Sequence, residues 1–114
     1  MSESRLKSRL RVQAAIRQCE ARFVPAMVVK RGDADAGAIL VKVNAFDRGC
    51  FVLTQVTDGL GRARWMRGTG PQPVDEPTAD AYIARQGRYD DDLWVIELES
   101  RDGWHPFEDE LLAE

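Results

Sequence analysis

The chain has 114 residues, which against a usual domain size of roughly 100 to 150 allows one hydrophobic core and excludes a multidomain machine. Hydrophobic residues make up 44% and charged residues 31%, with three Trp and four Phe, a balance that excludes a disordered, collagenous or disulfide-stapled chain. The net charge of −3 and the pI near 5.2 argue against a dedicated nucleic-acid binder, which carries a dominant basic footprint.

Val12, Ala15, Ile16, Cys19 and Phe23 recur at three- and four-residue steps and predict an amphipathic helix over residues 8–23, with Ser8 as N-cap and Pro25 as its stop. Residues 26–31 predict a first strand, 32–37 a turn and 38–44 a second strand, which together read as a hairpin. A turn over 44–49, a strand over 50–56, the tight Asp58-Gly59 connection and a strand over 62–67 extend this to a four-stranded antiparallel meander. Residues 68–77, with three prolines and two glycines, suit a loop crossing the sheet edge. Thr78 caps a second helix through about Gln86, ended by Gly87. Residues 93–99 form the clearest strand, with Trp94, Ile96 and Leu98 on one face. Trp104 and Phe107 are expected to dock the tail, leaving the first few residues and 108–114 loosely ordered. The expectation is one α+β domain over 1–114: an antiparallel sheet of about five strands, a four-strand meander plus a late strand, with two helices on one face.

Charge is sorted along the chain. Residues 1–31 carry eight basic side chains against two acidic, net +6, and residues 75–114 carry thirteen acidic against three basic, net −10. The basic segment either meets an acidic partner or faces the acidic tail of its own or a sister chain, and the second is the plainer reading. The longest apolar runs, residues 24–29 and 37–41, are strand-sized and far below the roughly 18 residues of a membrane span, so no membrane partner is expected. The basic N-terminus lacks the apolar stretch of a secretory signal, which makes the cytoplasm the expected compartment. There Cys19 and Cys50 stay reduced as small buried hydrophobes. One histidine and no paired cysteine spacing leave a Cys/His zinc cage without ligands, and no cofactor is expected.

The segment Arg31-Gly32-Asp33-Ala34-Asp35-Ala36-Gly37 leading into a strand, the Trp65 strand, and Asp92-Leu93-Trp94-Val95-Ile96-Glu97-Leu98-Glu99 after a short helix carry a resemblance along the whole chain. The chain resembles the uncharacterised bacterial family designated domain of unknown function number 1491. The resemblance implies a small bacterial cytosolic protein and lends no catalytic residue, substrate or partner.

Asp33-x-Asp35-x-Gly37 looks like the start of a calcium loop, but it lacks a third oxygen donor before the glycine, and Asn44 stands where the closing Glu belongs. A turn whose Asp side chains accept backbone amides is the expected role. A metal-dependent nuclease core requires an acid two residues before a lysine, whereas Leu40 precedes Lys42, and Glu99-Ser100-Arg101 is a loose imitation. His105 has no nucleophile in an elbow and is expected at the surface or docking the tail. Gly59-x-Gly61 has no helix after it and is a turn, not a phosphate loop. Arg62, Arg64, Trp65, Met66 and Arg67 could stack on and neutralise a single-stranded nucleic acid. A core position for Trp65, with arginines guarding an edge, is preferred.

No catalytic residue and no metal ligand is assigned. The favoured function is a small cytosolic non-enzymatic binding or protein-interaction module, because no nucleophile, base and stabiliser converge. Its binding residues are expected to be Arg31, Asp33, Arg64, Trp65 and Asp92 lining one pocket, with Asp35 beside them. The alternative is a divalent-ion-dependent enzyme acting on a nucleotide or nucleic acid through Asp33, Asp35, Asp90 and Asp92. The partner is an unknown protein, nucleic acid being disfavoured. A homodimer is narrowly favoured over a monomer, because Leu40, Val52, Leu93 and Val95 oppose the apolar face and need cover, and because the +6 and −10 segments are complementary.

Overall fold

The computed structural model describes residues 6–112. The elements run α1 (Ser8–Ala21), β1 (Ala26–Lys30), β2 (Ile39–Asn44), a 3-10 turn (Phe46–Arg48), β3 (Cys50–Thr57), β4 (Ala63–Arg67), α2 (Glu76–Tyr89), β5 (Trp94–Glu99) and a second 3-10 turn (Glu108–Glu110).

β5 carries apolar residues on both of its faces, and such a strand belongs inside a sheet rather than at its edge. The strand order is β1-β5-β2-β3-β4. β5 runs antiparallel to β1 and parallel to β2, with Ile39 opposite Trp94 and Val43 opposite Leu98. The sheet is therefore mixed, not purely antiparallel, and the meander comprises only β2, β3 and β4. β1 and β2 are not a hairpin. Residues 31–38 read as a turn because they are rich in glycine and aspartate, yet their backbone groups bond to α1 and to the segment entering β5.

Alternation along each strand settles where the helices lie. Ile39, Val41, Val43, Phe51, Leu53, Trp65, Ile96 and Leu98 pack beneath Val12, Ala15 and Cys19 of α1. The intervening Leu40, Cys50, Val52 and Val95 pack beneath Ala79, Tyr82 and Ile83 of α2. The helices occupy opposite faces, which corrects the expectation that both share one. The residues thought to need a sister chain as cover are covered by α2, so that reason for a homodimer falls away.

Local chemistry moved several boundaries. Ser8 does not cap α1 through its side chain; its hydroxyl donates to the Gly37 carbonyl, and the first helical amides donate to carbonyls of the 31–38 segment. α1 ends in a Schellman arrangement: the Val24 amide donates to Cys19 O at 2.9 Å and the Phe23 amide to Glu20 O at 3.1 Å. This turns Phe23 to φ 58° and out of the apolar stripe, 93% exposed. α2 starts earlier than expected because Asp75 caps it, its Oδ1 accepting from the Thr78 amide at 2.9 Å. Gly87 does not end α2; a single glycine costs a helix only about 1 kcal/mol, and the helix continues to Tyr89.

Lys42 lies on the α2 face with its side chain only 5% exposed, Nζ standing 2.7 Å from both Glu76 Oε2 and Asp80 Oδ1 and 3.8 Å from Glu97. Burial alone would lower its pKa; the hydrogen bonds to Asp80 and Glu76 and the charge of Glu97 outweigh it and hold the ammonium above its ordinary range. The first turn of α2 is thereby fastened to the middle of the sheet.

The acidic tail runs back against the sheet through residue 112. Trp104, Phe107 and Leu111 pack on the α1 face, and the Leu112 amide donates to Trp65 O at 2.9 Å. Residues 1–5 and 113–114 lie outside the described residues. The basic helix and the acidic tail meet within one chain. Arg22 stacks 4.3 Å over Trp104, beside Asp102, and Arg11 lies 5.8 Å over Trp65, whose Nε1 donates to Glu110. Among the described residues no helix is long and apolar enough to cross a membrane.

Candidate binding site

The residues expected to line one pocket fall in two places. Arg31, Asp33, Asp35 and Asp92 gather where β2 and β5 begin, while Arg64 and Trp65 sit on β4, three strand spacings or about 14 Å across the sheet. Trp65 is buried, with Nε1 donating to Glu110 Oε1 at 3.2 Å, and Arg64 is held by Asp58 at 3.3 Å. The single pocket is corrected accordingly.

The first group seals the chain against itself. Gly32 and Gly37 lie on the backbone of residues 92–93, so close that a Cβ at either would run into the Asp92 carbonyl. The Asp33 amide donates to Asp92 O at 2.8 Å, and Trp94 Nε1 donates to Asp33 O at 2.7 Å. Asp33 Oδ2 accepts from the amides of Asp35 and Ala36, closing the turn as its residue type predicts. The carbonyls of Ala34 and Asp35 accept from Arg9 and Ser8 at the start of α1, and Lys30 Nζ donates to the carbonyls of Asp91 and Leu93. Arg31 stacks 5.7 Å over Trp94. Asp90 Oδ1 accepts from the Asp92 amide at 2.9 Å. Two of the four carboxylates offered to a divalent ion are thus engaged by local amides. No group of three or more His, Cys, Asp or Glu side chains among the described residues is placed to hold a metal.

The opposite end of the sheet, where β2, β4 and β5 finish, is open. A cleft of about 430 Å³ lies between Ala45, Arg48 and Gly49 after β2, Phe51 of β3, Arg67 at the end of β4, Pro73, and Asp102, Gly103, Trp104 and Glu108 of the tail. That volume falls in the range of small-molecule sites. Phe51 and Trp104 are its aromatic walls, with Arg67 4.5 Å over the Phe51 ring, and His105, outside the lining, meets Phe51 edge-on at 5.9 Å.

Two buried donors at this end lack partners. Arg67 donates through one terminal nitrogen to Pro71 O at 3.2 Å, but its Nε is buried with no hydrogen-bond partner among the described residues. His105 is fully buried, and its Nδ1 accepts from the Phe107 amide at 3.2 Å, which places the proton of the neutral ring on Nε2. Nε2 stands 3.2 Å from Glu108 Oε2, yet without the alignment of a hydrogen bond. Burial, assisted by the Arg67 cation, pushes the imidazole pKa down to about 4, so the ring is neutral at physiological pH. Asp102 is occupied: its Oδ1 accepts from the Trp104 amide at 3.0 Å and from the Ser100 hydroxyl at 3.2 Å, and these bonds hold its pKa below the usual range. An unpaired buried donor costs about 1–3 kcal/mol; of these two side chains Arg67 lines the cleft, whereas His105 is fully buried outside its lining.

None of Arg48, Asp102, Trp104 or Glu108 was singled out as a binding residue from sequence, Arg67 was weighed only within a strand that could meet single-stranded nucleic acid, and His105 was expected at the surface or in the tail. The usable signal was the sole histidine between Trp104 and Phe107, since aromatic neighbours in a docked tail bury whatever lies between them.

A family model described as a protein of unknown function (DUF1491) matches residues 6–108. The chain is similar to the crystal structure of a DUF1491 family protein from Caulobacter crescentus CB15, at 36% identity and TM-score 0.80, covering 96% of this chain and 98% of that one. It is likewise similar to an NMR structure of a DUF1491 family protein from the same organism, at 37% identity and TM-score 0.81, covering 95% and 97%. A solution structure of a protein from A. tumefaciens matches at 30% identity and TM-score 0.73, covering 84% and 86%. No curated protein matches the chain.

Proposed function

The chain belongs to the DUF1491 family, whose function is unknown, and we propose that it is a small binding module that holds an anionic ligand in the cleft at the finishing end of β2, β4 and β5. The observation that carries this reading is the buried Nε of Arg67, without a hydrogen-bond partner among the described residues, beside a cleft that Arg67 and Arg48 both line. Arg48 makes no ion pair among the described residues, and a guanidinium presents a planar fork of donors suited to carboxylate or phosphate oxygens. Buried, unpaired Cys19 and Cys50 support a reducing, cytoplasmic setting for the module. The rival reading, a divalent-ion-dependent enzyme using Asp33, Asp35, Asp90 and Asp92, has less support, because Asp33 and Asp90 serve as turn formers.

A ligand that binds the native state preferentially raises the melting temperature. A thermal-shift series with phosphate, citrate and benzoate is expected to stabilise the wild-type protein and to leave Arg67→Gln unmoved. Equal stabilisation of both proteins, or a response to Mg²⁺ or Mn²⁺ in place of the anions, would count against the cleft.

A further inference from the structure

We propose that two copies of this chain pair edge to edge through β1, antiparallel about a two-fold axis at Met27, so that their sheets run on as one. The two edges of the sheet are finished differently. β4 carries Arg64 and Arg67, and the tail closes on it, with Leu111 bridged to Trp65 and the Leu112 amide donating to Trp65 O at 2.9 Å. β1 has no strand on its outer side among the described residues, and residues 23–29 carry no charge. Met27, Val28 and Val29 are all exposed there. A bare apolar edge is the kind that takes another strand.

The hydrogen bonds to β5 set the register. Pro25 O accepts from the Glu99 amide, and the same pairing puts Met27 opposite Glu97, so Pro25 and Met27 direct their backbone groups inward. The amides and carbonyls of Ala26 and Val28 therefore point out of the sheet, and nothing among the described residues meets them. Pro25 costs this outer edge nothing, because its missing amide proton belongs to the inner side. An axis at Met27 sets Ala26 of one copy against Val28 of the other, twice, and uses all four groups of each copy within the stretch that precedes the bulge between Val28 and Lys30. An axis at Val28 would instead draw Lys30, beyond the bulge, into the pairing.

Charge selects a second copy as the occupant. This register carries the Lys30-Arg31 end of each copy to residues 23–24 of the other, where a cleft of about 470 Å³ opens beside Phe23, Pro25, Phe46 and Glu99. Of the charged residues lining it, Arg101 lies 4.9 Å over the Phe46 ring, Asp102 is held by Ser100 and the Trp104 amide, and the Glu99 carboxylate has neither ion pair nor hydrogen bond among the described residues. Two acids against one base leave a place for one cation. Arg31 supplies it, since it forms no ion pair among the described residues and only stacks over Trp94, at 5.7 Å. Phe23 is held at φ 58°, where a bulky side chain is strained, with its ring outside the packing of its own chain. A ring beside a carboxylate suits a guanidinium, and the two-fold axis makes the match at both ends. With β1 only five residues long, the contact is smaller than the roughly 1,200–2,000 Å² of a stable interface, so a dissociation constant of about 100 μM is expected.

Sedimentation equilibrium of the full chain from about 10 μM to 1 mM tests this. The mass is expected to rise from 12.8 kDa toward twice that value. Met27→Lys, which sets like charges against each other on the axis at an exposed position, is expected to stay folded and monomeric at every concentration. Arg31→Glu and Glu99→Arg are each expected to weaken association about tenfold, and the double variant to restore it. Disulfide trapping with oxidised glutathione reads the register. Residues paired on the axis stand about 4.5 Å apart at Cα, within reach of a disulfide, so Met27→Cys is expected to be trapped as a dimer faster than Val29→Cys, while Cys19 and Cys50 stay buried. A mass of one chain throughout overturns the pairing and leaves the β1 edge to an extended segment of a different protein. A dimer that Met27→Lys does not dissociate lies elsewhere on the molecule and overturns it too. A dimer that Met27→Lys dissociates but that Arg31→Glu and Glu99→Arg both leave unchanged overturns the role of the charged ends, and equal trapping of the two cysteine variants overturns the register.

Discussion

Where β2 and β5 begin, residues 31–37, the start of α1 and residues 90–94 close on one another through backbone hydrogen bonds, two glycine contacts and the Trp94 indole. Where the same strands end, the chain leaves a cleft and, among the described residues, two buried donors without aligned acceptors and a glutamate that no hydrogen bond holds. The two ends share one sheet and differ in how completely their polar groups are used. A fully satisfied end contributes stability and leaves nothing to offer a ligand; an end with unpaired donors gives up stability that a ligand can restore. The segment that stands out most in the sequence is therefore architecture, and the end proposed to bind a ligand is assembled from residues that form no motif.

The largest effect belongs at the sealed end. Trp94 is 3% exposed, packs with Ile96 and Leu98 beneath α1, and ties the 31–37 segment to β5 through Nε1. Trp94→Ala is expected to cost about 3–5 kcal/mol, a large share of a total of roughly 5–15, and to unfold or severely weaken the domain. A urea midpoint equal to that of the wild type would show that this end does not hold the fold.

At the open end the expected signature is a pH dependence. In the unfolded chain the His105 imidazole takes a proton near pH 6.5, while in the folded chain burial delays protonation to about pH 4. Folding is therefore unaffected by this group at neutral pH, and stability is lost as pH falls between those two values, by about 3 kcal/mol in all. His105→Phe keeps a ring between Phe51 and Phe107 and deletes the unpaired Nε2–H, at the loss of the acceptor for the Phe107 amide. Its stability at pH 7 is expected to lie within about 1 kcal/mol of wild type. Urea midpoints measured from pH 7 to 4 should fall less steeply in the variant; identical slopes would mean that His105 titrates as an exposed histidine.

Element types were legible because their signals are local. The apolar spacing of Val12, Ala15 and Cys19, and the alternation of Trp94, Ile96 and Leu98, each report one buried face regardless of what covers it. Topology was not legible, since nothing within residues 26–44 announces that β5 will insert between β1 and β2. The clue lay elsewhere: residues 93–96 are apolar at every position, a pattern that demands cover on both faces and so argues against placing both helices on one. The cleft was less legible still. Arg48, Arg67 and Glu108 are separated in sequence and ordinary in type, and their meaning comes from a docked tail that brings Trp104, His105 and Glu108 beside β3 and β4.

The smallest expected effect sharpens the contrast within the conspicuous 31–37 segment itself. Asp35 contributes its carbonyl to the Ser8 amide, a bond that any residue at this position can make. Its carboxylate reaches only Lys7, at 3.8 Å, with both side chains well exposed, and an exposed pair of this kind is worth about 0–1 kcal/mol and is screened by salt. Asp35→Ala is therefore expected to change the unfolding free energy from urea titration by less than about 0.5 kcal/mol and to leave benzoate binding at the far cleft unchanged. Asp33 differs, because its Oδ2 holds the amides of Asp35 and Ala36, so Asp33→Ala should cost more than its neighbour, by about one hydrogen bond or roughly 1 kcal/mol. A carboxylate at position 35 that proved essential to ligand binding, with stability intact, would move the proposed binding site to where β2 and β5 begin.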